Sequence, residues 1–159
     1  MNIKFKEMIY SILEKNQILS LTTLNNKTKQ LDICSVFYVF DKNFNIFFWS
    51  DINSIHSKNI TKNNLVAVNI VDTHQKWGSD LQGLQIQGKA YPLSITKMLK
   101  PAKLYSLRYP LVKKLINHLK DFNIKYDSKL YKIEIDKIKI FDEISFGKEG
   151  FKEFIIERK

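Results

Sequence analysis

The stretch Asn45 to Val71, NIFFWSDINSIHSKNITKNNLVAVNIV, decides how this chain is read. An apolar run, Ile46-Phe47-Phe48-Trp49, stops at Ser50-Asp51, and Asn53 or Ser54 is placed to cap a helix beginning near Ile55. A second strand follows from Leu65 to Val71. The order is therefore strand, turn, short helix, strand. A helix that starts at a strand end presents unpaired backbone N–H groups and the positive end of its dipole, which suits a phosphate. Ser50 and Ser54 add hydroxyl donors there, His56 and Lys58 add positive charge, and Phe48 and Trp49 supply apolar surface. A phosphate beside a flat apolar wall suits a phosphorylated aromatic cofactor.

Outward from this stretch, successive short strands joined by polar turns argue for an antiparallel, mainly β domain. Phe5, Met8, Ile9, Ile12 and Leu13 follow helical spacing, which predicts a helix over 3–16. Strands are expected at Ile18 to Leu24, Leu31 to Phe40, Phe44 to Ser50 and Leu65 to Asp72. In Leu81 to Ala90 the residues Leu84, Ile86 and Gly88 alternate with Gln85, Gln87 and Lys89, so one face is buried and one wet. Gly83 and Gly88 inside that strand call for a ligand or a bend. Residues 94–122 read as helical, with Pro101 and Pro110 as helix starts and an apolar stripe of Leu111, Leu115, Ile116 and Leu119. Strands return at Leu130 to Ile135, Ile138 to Phe141 and Phe151 to Ile156, within 129–157.

A chain of 159 residues with 44% hydrophobic content builds one packed domain without metals or disulfides. The single Cys34 excludes an intramolecular disulfide and fits a reducing cytoplasm. No stretch approaches the roughly 20 apolar residues of a membrane helix. The net charge of +10 comes from 24 Lys and only Arg108 and Arg158, with acidic residues interspersed. Base readout leans on bidentate Arg contacts, so the composition describes a solvated lysine surface rather than a nucleic-acid binder. There is no Walker or dinucleotide glycine loop, no H-E-x-x-H, no paired Cys and no nucleophile elbow.

At Trp49-Ser50, Ser54-Ile55-His56-Ser57-Lys58-Asn59-Ile60 and Leu65-Val66-Ala67-Val68 the chain resembles the pyridoxamine 5'-phosphate oxidase-like, FMN-binding split barrels. Gly83-Leu84-Gln85-Ile86-Gln87-Gly88 resembles a second segment of that family. His56, Tyr105-Ser106-Leu107-Arg108-Tyr109-Pro110 and Ser145-Phe146-Gly147-Lys148 look most like its YhbP-like bacterial branch. The resemblance implies a Greek-key split β-barrel of about six strands with flanking helices. It also implies a homodimer with FMN at its interface, and an oxidoreductase acting on a small-molecule redox substrate.

On that footing the flavin phosphate meets Ser50, Ser54 and His56, with Lys58 and Trp49 nearby. Backbone groups of Ser35, Val36 and Phe37, and of Gly83, Leu84 and Gln85, face the ring. Phe146 and Lys148 are candidate contributions from a second subunit. Ile55 and His56 stand where many members carry Arg and Lys, so FMN binding is expected to tighten toward pH 6 as the imidazole gains charge. Haem, with His74 or His118 as axial ligand, or no cofactor at all, are the alternatives the same resemblance leaves open.

Overall fold

The computed structural model describes residues 2–111, 127–148 and 150–156. Helix α1 is Ile3–Lys15, opened by Asn2, whose side chain accepts from the Lys4 N–H. Strands β1 (Ile18–Leu24), β2 (Leu31–Phe40) and β3 (Ile46–Asp51) form a meander. Helix α2 (Ile55–Lys62) follows, capped by Ser54, and then β4 (Leu65–Val71) and β5 (Gln82–Pro92). Helix α3 is Leu99–Arg108, preceded by a 3-10 turn at Ile95–Lys97. The chain ends in β6 (Ser128–Asp142), a single-turn helix α4 (Glu143–Phe146) and β7 (Phe151–Ile155). The second apolar stripe, with Leu115, Ile116, Leu119 and His118, lies outside the described residues apart from Leu111.

The strand order is β3-β2-β1-β4-β5-β6, closed by pairing of β3 with β6, with β7 added outside the barrel on β6. Placing β4 beside β1 after a three-strand meander is the Greek-key arrangement. Every pairing is antiparallel. Alternation sends Leu19, Leu21, Val68, Ile70, Leu84, Ile86, Ile133 and Ile140 inward, and α1 adds Ile9, Ile12 and Leu13 to the same core. A second cluster of Val39, Phe47, Met98, Tyr105 and Leu130 lies outside the barrel, where α3 covers β2 and β3.

One expectation is corrected. The residues expected to form two strands, Leu130 to Ile135 and Ile138 to Phe141, are one continuous β6 with a bulge. Gln87 pairs with Lys137 while Gly88 pairs with Ile135, which leaves Asp136 as the extra residue. The bulge also explains Gly88, since a Cβ there would sit 2.1 Å from the Glu134 carbonyl oxygen. At Gly83 a Cβ would meet Phe141 at 2.4 Å and the Ile70 carbonyl oxygen at 2.6 Å. Both glycines are accounted for by the barrel's own packing.

The split in the barrel has a visible origin in β2. Residues Leu31 to Phe37 pair with β1, whereas only Tyr38, Val39 and Phe40 pair with β3. Helix α2 packs along β1 and β2. Its buried Asn59 donates to Thr23 Oγ1 at 3.1 Å and to Asp32 Oδ2 at 2.8 Å, tying the helix to both strands.

At the handover, the Tyr105 hydroxyl donates to the carbonyls of Phe37 (2.8 Å) and Phe47 (3.1 Å), and Tyr109 donates to Tyr38 (2.7 Å) and Gln17 (3.1 Å). Between them, Arg108 Nη2 lies 2.8, 3.1 and 2.5 Å from the carbonyl oxygens of Leu13, Glu14 and Asn16, at the C-terminal end of α1. Its guanidinium also sits over the rings of Tyr38 (5.1 Å) and Phe40 (5.3 Å). The segment from Tyr105 to Tyr109 therefore fastens α3, α1 and β2 together.

Arg108→Ala is expected to lower the free energy of unfolding by about 2 to 4 kcal/mol, through lost charge-assisted hydrogen bonds and stem packing. The exposed Lys103→Ala on the same helix is expected to stay within about 0.5 kcal/mol. Urea denaturation followed by circular dichroism measures both, and equal midpoints would contradict the fastening role.

Candidate functional site

Strand β3 ends at Asp51, whose side chain accepts from the Asn53 N–H at 2.6 Å and whose carbonyl accepts from the Ser54 N–H at 3.2 Å. This turn brings Ser50 back beside the start of α2. Ser50 Oγ is 2.5 Å from His56 Nε2 and 3.2 Å from Ser54 Oγ, and Ser54 Oγ is 3.1 Å from the same nitrogen. The Ser54 hydroxyl also lies 2.8 Å from the Asp51 carbonyl oxygen and 2.8 Å from Ser57 Oγ, and it caps the Ser57 N–H. Buried Ser57 links onward to Tyr131, whose ring stacks on Phe48 at 5.1 Å. Three of the residues expected to share a site do converge.

The backbone N–H groups of Ile55 and His56 have no hydrogen-bond partner among the described residues, so the helix start keeps two donors. Lys58 is exposed one turn further on. Ile55 is 62% exposed and brings no charge. Burial pushes the His56 pKa below its ordinary 6.5. The imidazole is therefore neutral at neutral pH, and any tightening that depends on its charge belongs below pH 6.5 rather than above it.

The other expected residues are placed elsewhere. Ser35 and Phe37 face outward on β2, while Val36 turns inward against the core. The Phe37 carbonyl is already taken by Tyr105. Gln85 faces out, whereas Leu84 is in the core and Gly83 is packed under Phe141. Trp49 packs against the outer cluster near Tyr105, with ring centroids 6.3 Å apart. Phe146 packs against Phe5 of its own α1, centroids 6.2 Å apart, and Lys148 is exposed on the following turn.

A second locus lies on the outer face of the sheet. The pairing registers align Ser35, Ser20, Asn69, Gln85, Lys139 and Glu153 in one row across six strands. Two cavities, of about 440 and 590 Å³, share Ser20 and Asn69 from this row. The larger also contains Ser35 and His74. No residue of the Ser50, Ser54 and His56 cluster lines either one. Ser20, Asn69 and Lys139 escaped sequence reasoning because only cross-strand register, which the chain does not spell out, puts them in one row. Around this row, Ile18, Leu31, Ile33, Phe37 and Leu65 are exposed apolar residues, Ile33 at 73%.

No sequence-family profile matches the chain, and no curated protein matches it. Solved structures do. The chain superposes on a protein described as a candidate pyridoxamine 5'-phosphate oxidase from Listeria innocua with a TM-score of 0.66 at 18% identity, over 86% of this chain and 97% of that one. Its fold is the pyridoxamine 5'-phosphate oxidase-like split barrel. The same split barrel appears in the Agrobacterium tumefaciens protein Atu2129, of unknown function (TM-score 0.72, 17% identity, 87% of this chain). It appears again in a heme binding protein from Mycobacterium smegmatis (TM-score 0.75, 11% identity, 98% of this chain). The chain spans only 57% of the Agrobacterium protein and 59% of the Mycobacterium one. At these identities the likeness is one of fold. Among the described residues no helix of this split barrel is long and apolar enough to cross a membrane, and no group of His, Cys, Asp and Glu is arranged to hold a metal ion.

Because folding lowers the His56 pKa, the unfolded chain binds more protons than the folded one at and below pH 6.5, and stability falls as the pH drops through that range. Replacing His56 with Gln is expected to flatten this part of the stability profile between pH 7 and pH 5. Urea midpoints measured across that range for both proteins check it, and parallel profiles would remove His56 as the source.

Proposed function

We propose that this split barrel binds FMN at a homodimer interface and serves as an oxidoreductase for a small-molecule redox substrate. The observation that carries the reading is the convergence of Ser50, Ser54 and His56 on the start of α2, where two backbone N–H groups remain for a ligand. The donor set suits a polar cofactor tail, and the outward Ile33 and Phe37 of β2 offer an apolar surface for a ring. When bound, FMN supplies the electron-transfer chemistry. In this reading Ser50, Ser54 and the α2 N–H groups hold the tail. The exposed apolar residues Ile18, Leu31, Ile33 and Leu65 belong to the dimer contact, which also keeps water from the ring.

Oxidation of pyridoxamine phosphate itself fits poorly. A second phosphate needs its own cationic pocket, and Arg108, one of only two arginines in the chain, is spent on the carbonyls of α1.

A specific observation favours haem as the second reading. His74 Nδ1 is 3.1 Å from Asp72 Oδ1, and the imidazole is 93% exposed beside the 590 Å³ cavity. A carboxylate on one ring nitrogen orients a histidine whose other nitrogen binds a metal. Lys15 lies in the same cavity as a partner for a propionate.

The absorbance spectrum after incubation with FMN and desalting tests the first reading, with retained flavin bands expected. Loss of FMN, together with a Soret band on haem addition that His74→Ala abolishes, would favour the second. Light scattering is expected to give a dimer mass for the parent and a monomer for Ile33→Lys.

A further inference from the structure

We infer that this site accepts flavins with little regard to the phosphate, so that riboflavin is bound about as well as FMN. The inference rests on the flavin reading and adds ligand specificity to it. Its basis is how the junction spends its hydrogen bonds. Ser50 Oγ and His56 Nε2 are paired at 2.5 Å, and the Ser54 hydroxyl has the Asp51 carbonyl oxygen at 2.8 Å as its acceptor. The Ser54 proton and one proton of the Ser50–His56 pair thus have internal destinations. A phosphate that enters must break one of these bonds or rely on the two backbone N–H groups of Ile55 and His56.

Charge gives the same answer. Ile55 is exposed where a cation would reach a phosphate, the half-buried His56 ring faces two serine hydroxyls, and the cations nearest the junction, Lys58 on α2 and Lys129, the β6 partner of Ser50, are both solvent-exposed. The Asp51 carboxylate, at the end of β3, accepts from the Asn53 N–H within the same turn. Stripping water from a phosphate dianion without a buried cation costs much of what the two N–H bonds return. The ring and the ribityl chain, which FMN and riboflavin share, then carry the affinity.

The test is a fluorescence-quenching titration of the full chain with FMN and with riboflavin at pH 8. Dissociation constants within about threefold of each other are expected. Charge-assisted hydrogen bonds from a working phosphate site would instead favour FMN by more than about tenfold, which would overturn the inference. In Ile55→Arg, a substitution at an exposed position, FMN is expected to gain about tenfold while riboflavin is unchanged. An equal gain for both ligands, or none, would also count against it. Binding of neither flavin would overturn the flavin reading and this inference together, and that outcome is distinct from tight binding of FMN alone.

Discussion

Strand β2 cannot pair on both sides along its whole length, and its carbonyls at Phe37 and Tyr38 mark where it leaves β1 and takes up β3. A buried carbonyl without a donor is costly. Tyr105 and Tyr109 supply the donors from outside the sheet, at 2.8 and 2.7 Å. Burial pushes both phenols above their ordinary range, so they remain protonated donors. Arg108 sits between them in sequence and fixes the end of α1, which contributes Ile9, Ile12 and Leu13 to the barrel core. One helical turn and a half therefore couples the outer cluster, the core helix and the strand handover. Because β2 is held at this point, its first half can part from β3 and leave the gap alongside which α2 packs.

The opposite end of β3 depends on β6 in a similar way. Over 15 residues, β6 pairs with β3, then β5, then β7. A strand with three successive partners must twist, and the bulge at Asp136 provides the twist. The Asp136 carbonyl accepts from Ile156 at 2.8 Å, so the bulged residue still finds a backbone partner. With β3 held against β6 as far as Asp51 and Ser128, the turn into α2 starts from a fixed point. That rigidity is what lets Ser50, Ser54 and His56 meet within about hydrogen-bond distance before any ligand arrives.

Much of this was legible in the sequence because local signals agreed with one another. The bounds of α1, β1, β2 and β4 follow from period and turn residues, and Ser54 reads as a cap because Ser and Asn are favoured there. The Asp136-Lys137 pair reads as a break for an equally local reason, since two polar residues interrupt an alternating strand. Only the pairing register, with a Cβ at Gly88 falling 2.1 Å from the Glu134 carbonyl oxygen, shows that the strand continues through a bulge. Phe146 is harder still. An aromatic beside Gly147 and Lys148 looks like a free loop, and its packing partner Phe5 lies at the other end of the chain. The outward turn of Gln85 was legible from alternation, but the row that joins Gln85 to Ser20 and Asn69 needed the register of three strands.

The start of α2 carries no cationic pair, since Ile55 and His56 occupy its first two positions. Here the His56 ring turns back onto Ser50 and Ser54 and completes their hydrogen bonding, while Phe48 stacks with Tyr131 beneath it. The serine hydroxyls of the junction are thus paired without a ligand, and the backbone N–H groups of Ile55 and His56 are the donors left open among the described residues. Chain-wide charge follows the same division. Among the described residues the lysines are largely solvent-facing, and Arg108, with its fixed fork of donors, is used to hold the fold. In the flavin reading we propose, recognition at this site falls to neutral donors and apolar surface, which discriminate by shape and hydrogen-bond count rather than by charge.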